Sequence, residues 1–88
     1  MAFTLRQLRT FVAVAEAGGV SQAAQALSLS PSAVSEAVKD LEGDLGVPLF
    51  ERHARGLAAT QGGRTFLRHA RAILAQAQAA RLAARGGG

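Results

Sequence analysis

Three residues, Ser28-Leu29-Ser30, separate two short helical patterns, and this connection constrains the fold more than any other feature of the chain. Before it lies "QAAQAL" (22–27), with Ser21 read as its N-cap. Its small Ala23 and Ala24 let another helix pack closely. After it, Ser30 is read as the N-cap of a longer helix and Pro31 takes the first position, where a missing N–H costs nothing. Val34, Val38, Leu41 and Leu45 then recur at helical spacing until Gly46 stops the run. Two helices joined by so short a turn and packed on a third describe a helix-turn-helix, here over residues 20–39.

The third helix stands upstream. Leu5, Leu8, Val12 and Ala15, with Phe11 and Val14 beside them, form one apolar face that ends at Gly18-Gly19. Downstream, Leu49 and Phe50 are expected to be buried. Arg55-Gly56 is expected to turn a small hairpin, although Ala58 and Ala59 make its second arm poor in strand formers. Thr60 caps a final helix, whose first turn Gly62 and Gly63 weaken by roughly 1 kcal/mol each relative to Ala. The closing "GGG" is expected to be flexible. The fold class is therefore mainly all-α: a helix-turn-helix with a small β hairpin over residues 3–60, a long helix over 61–85, and a tail at 86–88.

The serines at the start of the third helical pattern suggest what this arrangement is for. In a helix-turn-helix the N-terminal part of the second helix enters the DNA major groove. Residues there must be small and must offer hydrogen bonds, and a helix N-terminus itself favours phosphate. Ser30, Ser32 and Ser35 fit those needs. At 100° per residue, Ser32, Glu36 and Lys39 lie opposite the apolar stripe, with Ser35 at the flank. A capped surface helix with no ligand would carry the same serines. Ser21 and Gln22 open the helix that crosses the DNA backbone in this motif. Arg52 and Arg55 flank the hairpin, where phosphate or minor-groove contact is the functional reading. For Arg52 a salt bridge with a carboxylate of the recognition helix is the competing reading.

Charge points the same way. Residues 1–45 hold three basic residues against five acidic ones, and residues 46–88 hold seven arginines against Glu51 alone, for nets of −2 and +6. A basic half suits a polyanion partner. Arg64, Arg68 and Arg71 form a stripe of the kind that usually faces solvent. With no Cys there is neither a disulfide framework nor a thiol nucleophile. His53 and His69 stand 16 residues apart with no carboxylate at ligand spacing, so neither a metal site, nor a cofactor, nor a catalytic constellation is expected. The start "MAFTLRQL" carries no long apolar run, and a soluble cytoplasmic protein with no membrane contact is expected.

Four segments carry a resemblance: "LRQLRTFVAVAEAGG" (5–19), "SQAAQALSLSPSAVS" (21–35), "VKDLEGDLGVPLFER" (38–52) and "TQGGRTFLRHARAIL" (60–74). They resemble the N-terminal DNA-binding region of the LysR-type transcriptional regulators of bacteria. The run L-E-x-x-L-G-x-x-L-F-x-R, here Leu41 to Arg52, is the most specific part. The resemblance implies a winged helix-turn-helix, in which the hairpin is a small β wing, followed by a linker helix that pairs two subunits, and sequence-specific binding of double-stranded DNA by dimers or tetramers. It also implies nucleoid association when bound, and an inducer-binding domain C-terminal to that helix and not in this chain. The chain is thus expected to be the DNA-binding fragment of a longer regulator, or else a short stand-alone one. It departs from the family pattern at Pro31-Ser32, where the family commonly has a Gln-Pro pair, at Glu36, where a basic residue is common, at Ala37, where Gln is common, and at Ala58 and Ala59, where a basic residue and a Leu are common. Glu36 and the depleted wing leave open a helical protein-interaction module that keeps the fold without binding DNA.

The last helix bears on assembly. Phe66, Ala70, Ile73, Ala77, Ala80 and Ala84 alternate spacings of four and three, and Leu67 and Leu74 widen the seam. About 25 residues span ~37 Å, too long to be covered by so small a domain, so the seam is expected to pack on a second copy of the chain. Folding back on its own domain is the competing arrangement.

Overall fold

A computed structural model describes residues 3–86; the last two residues of the "GGG" tail lie outside the described residues. The elements run α1 (Leu5–Ala17), α2 (Val20–Leu27), α3 (Pro31–Leu45), β1 (Phe50–His53), β2 (Gly56–Ala59) and α4 (Gln61–Ala84). Local chemistry fixes most of the boundaries. At the start of α1, Gln7 N–H donates to Thr4 Oγ1 (3.1 Å) and Thr4 N–H donates to Gln7 Oε1 (2.9 Å), a reciprocal cap. Ser30 Oγ accepts from Ala33 N–H at 3.1 Å with Pro31 behind it, and Thr60 Oγ1 accepts from Gly63 N–H at 2.9 Å. Each such cap is worth about 1 kcal/mol.

Ser21 is not a cap. Gly19, extended at φ −174° and ψ 158°, is the last residue outside α2 and makes no side-chain cap bond. The helix starts at Val20 because that side chain packs against the cluster of Val14, Ala23, Ala24 and Val34. Burial of one valine outweighs the position of one hydroxyl.

α1 lies between two apolar clusters. Leu8, Phe11, Leu41, Leu49 and Ala70 form the larger, with Phe3, Val12, Phe50, Phe66, Leu67 and Leu74 packed around them. The Phe11 ring meets those of Phe50 and Phe66 at 5.4 Å each. Each fully buried large side chain contributes roughly 1.5–3 kcal/mol, so α3, β1 and α4 are all fastened to α1.

This packing bears on the seam of α4. Ala70 is fully buried inside its own protomer and so is not free to meet a second copy, while Phe66 and Leu74 pack on the same core and stay half-buried. The physical reason is that the first half of α4 lies against α1, where Ala70 joins Leu8 and Phe11 in one cluster and the Phe66 ring meets that of Phe11. Beyond that half the seam is open. Ile73 is 38% exposed and Ala80 is exposed, while half-buried Ala77 lines a groove with Leu5, Arg9, Leu74, Gln78 and Arg81. The helix projects past the domain, giving the chain a long dimension of 47 Å against 26 and 20 Å.

The wing is a two-stranded antiparallel hairpin in which Phe50 pairs with Ala59 and His53 with Gly56. Its turn residues are Ala54-Arg55, one position earlier than Arg55-Gly56. Gly56 sets that register. Its φ of +127° is a glycine conformation, and a Cβ there would stand 2.6 Å from Gly18 O. Leu57 N–H donates to the same carbonyl at 3.1 Å. The other end of the hairpin is closed by Thr60 N–H to Leu49 O (3.0 Å) and Thr60 Oγ1–H to Pro48 O (2.7 Å). Two residues poor in strand propensity thus hold a strand because both ends of the hairpin are tethered.

Candidate nucleic-acid interface

The cap at Ser30 and the apolar stripe of Val34 and Leu41 settle which side of α3 faces outward. Both stripe residues are fully buried, which turns Ser32, Glu36 and Lys39 to solvent and leaves Ser35 half-buried at the flank. Pro31, Ser32, Ser35, Glu36 and Lys39 line one shallow surface groove. Ser35 and Lys39 also line a second, shared with Val20, Val38, Glu42, Phe50, Arg52 and Leu57. The outer face of α3 is therefore continuous with the base of the wing.

The remaining candidates fall around this surface. Arg55 is exposed in the hairpin turn and Arg52 is exposed on β1. Among the described residues Arg52 forms no ion pair with Glu36, Asp40 or Glu42. Ser21 and Gln22 are exposed in the first turn of α2. Ser30 is exposed, and with one lone pair of its oxygen engaged by Ala33 N–H it keeps its hydroxyl hydrogen and one lone pair to offer outward.

Glu42 plays a part that helical periodicity did not show. Its Oε2 accepts the backbone N–H of fully buried Leu49 at 2.7 Å. A charge-assisted bond of this kind is worth roughly 1.5–3 kcal/mol, and it ties the last turns of the recognition helix to the chain entering the wing. The partner lies seven residues away, beyond a helix end, where no local pattern points to it. In the arginine stripe, Arg64 donates to Ala59 O at 3.0 Å and Arg71 pairs with Glu16 at 3.1 Å. The Arg71–Glu16 pair is more than half exposed and contributes at most about 1 kcal/mol.

His53 Nε2 lies 3.4 Å from Glu51 Oε2 on the exposed face of β1, and His69 lines a separate groove with Leu45, Val47 and Phe66. Among the described residues no cluster of three or more His, Cys, Asp or Glu is placed to hold a metal, and no helix is long and apolar enough to cross a membrane. What the surface offers is a row of small hydrogen-bonding groups at a helix start, flanked by exposed cations.

Comparison with known proteins agrees with this geometry. A family model described as bacterial regulatory helix-turn-helix protein, lysR family, matches residues 5–64. The HTH-type transcriptional regulator TfdT of Cupriavidus pinatubonensis is 49% identical over 74 residues, which are 84% of this chain and 32% of TfdT. The Hca operon transcriptional activator HcaR of Escherichia coli is 48% identical over 81 residues, 92% of this chain and 27% of HcaR. The chain thus spans about a third or less of the length of these curated relatives. Among solved structures, the CbnR_DBD–DNA complex matches with a TM-score of 0.91 at 42% identity, over 96% of this chain and 97% of that one. The complex of BenM_DBD with benA site 1 DNA matches with a TM-score of 0.90 at 30% identity, over 97% and 99%. With the family model matched over most of its length and the fold shared with solved domains at 30–42% identity, the chain belongs to the LysR family of bacterial regulatory helix-turn-helix proteins.

Proposed function

We propose that this chain binds duplex DNA sequence-specifically, as the DNA-binding part of a bacterial transcriptional regulator. The observation that carries the reading is the outer face of α3. At a capped helix start it presents Ser32, Ser35, Glu36 and Lys39 together, and it runs without a break into the groove beside Arg52. The start of α3 enters the major groove, Ser21 and Gln22 meet the backbone at the start of α2, and Arg55 reaches a phosphate or the minor groove from the wing. CbnR and BenM domains of the same fold have been solved with DNA, which supports this placement. The work of the chain is recognition rather than catalysis, carried out in the bacterial cytoplasm.

Residues 3–60 act as the reading head and 61–85 as a linker that pairs two copies through Ile73, Ala77 and Ala80. Ala70 supports that face from within the core, and half-buried Phe66 and Leu74 border it. A longer parent protein would add tetramer contacts and the inducer site. The test is fluorescence anisotropy of a labelled duplex against salt. Lys39, Arg52 and Arg55 from each of two protomers would neutralise six phosphates, giving a slope of log K on log salt of about −5. No binding to any duplex at low salt would refute the reading and favour a protein-interaction module.

A further inference from the structure

Glu36 is out of place on a surface meant for a polyanion. It stands on the exposed face of α3 between Ser32 and Lys39, lining the same groove as both. A carboxylate at such a position repels phosphate, so it needs a local reason. The simplest would be an ion pair within the helix, because Lys39 lies three residues on and such pairs are common at that spacing. The structure removes that reason. Among the described residues neither the Glu36 nor the Lys39 side chain forms a hydrogen bond or ion pair, and Arg52 makes no ion pair with Glu36. Glu36 supports no backbone group either, in contrast to Glu42 on the same helix.

From this geometry we infer that Glu36 is a specificity-determining residue that reads a cytosine in the major groove; the inference rests on the DNA-binding reading above. A carboxylate can only accept hydrogen bonds. In the major groove only two base edges donate, the N6 amino group of adenine and the N4 amino group of cytosine. On adenine the amino group is flanked by the N7 acceptor, which repels a carboxylate oxygen. Cytosine offers its amino group with no second acceptor of its own beside it. Glu36 therefore selects cytosine over adenine and rejects guanine and thymine, which present acceptors there. Its neighbours divide the remaining work. Lys39, one turn further on the same face, meets a phosphate or a guanine, and Ser35 at the flank fixes the register.

The experiment is selection of bound sequences from a random duplex library with the intact chain and its Glu36→Ala variant, followed by affinities for the selected site and for an unrelated duplex. Glu36 is exposed and alanine is a good helix former, so the variant keeps the fold, which circular dichroism checks. The parent chain is expected to select a site with an invariant C·G pair, and the variant to lose preference at that pair alone. Affinity for the selected site falls about 5- to 150-fold. Affinity for the unrelated duplex rises, because one repulsive charge is gone. A structural role would move both affinities the same way, and that result overturns the inference. An unchanged preference at every position also overturns it while leaving DNA binding intact. Failure of the parent chain to enrich any sequence overturns the DNA-binding reading itself.

Discussion

Adjacent glycines in the first turn of α4 should respond to alanine with opposite signs. By helix propensity alone, Gly62→Ala and Gly63→Ala would each stabilise the chain by up to about 1 kcal/mol. The packing separates them. A Cβ on Gly62 would meet Val47 Cγ2 at 3.7 Å and Pro48 O and Thr60 Oγ1 at 3.8 Å, all ordinary contacts. A Cβ on Gly63 would collide with Leu49 O and press on Leu49 C at 3.0 Å and Cα at 3.3 Å. Leu49 cannot give way as a side chain could. Its carbonyl accepts from Thr60 N–H, its N–H is held by Glu42, and its side chain is fully buried. Relief requires α4 to lift from the entry to the wing. That costs about 1–3 kcal/mol of overpacking and about 1 kcal/mol for a weakened Thr60–Leu49 bond, offset by the propensity gain. The net expectation is a loss of about 1–3 kcal/mol for Gly63→Ala and a gain of about 0.5–1 kcal/mol for Gly62→Ala. In a domain of this size each kcal/mol moves Tm by about 4–8 °C. Urea unfolding at one fixed protein concentration, with m unchanged, measures both. A Gly63→Ala variant as stable as the parent, or two variants that shift the same way, would refute the close-approach argument.

Other changes probe the wing, the last helix and the recognition helix. Arg55→Ala should weaken matched and unrelated duplexes by similar factors and lower the salt slope by about one charge per protomer; a loss confined to the matched site would make Arg55 a base reader. Ile73→Asp puts a charge on the open part of α4 and should leave the fold intact but abolish dimers in sedimentation; a parent that stays monomeric at high micromolar concentration contradicts the proposed pairing. Glu42→Ala should cost about 1–3 kcal/mol in thermal unfolding by stranding Leu49 N–H, whereas Glu42→Gln, which keeps an acceptor, should lose less than half of that.

What the sequence made legible was local. Ser30-Pro31, Gly46 and Thr60 mark helix ends through bonds made within three or four residues, and each falls where it was expected. The stripe of Val34, Val38, Leu41 and Leu45 turned the outer face of α3 correctly because the period of a helix is fixed. What stayed hidden depends on who packs against whom. The start of α2 was set by burial of Val20, not by Ser21. The turn of the wing was set by the approach of Gly56 to Gly18, across almost 40 residues of chain. Periodicity gave the apolar seam of α4 but could not say that Phe66 and Ala70 would meet Phe11 and Leu8 instead of a second copy. Gly63 looked like a weakness in a helix, and the reason for it is a carbonyl that no one-dimensional pattern contains.

The division of α4 into a fastened half and a bare half makes it a phased rod. A residue inserted among the buried positions would force the core to repack. One inserted after Ala77 would leave the domain untouched, advance the far end by about 1.5 Å and rotate it by about 100°. Insertions of one, two or three residues would swing whatever the outer face meets right round the axis, whereas four would bring it to within about 40° of its first bearing and seven to within about 20°. The chain thus sets an angular relation in units of whole residues, with an error of a single residue large enough to be lost in function and invisible in stability.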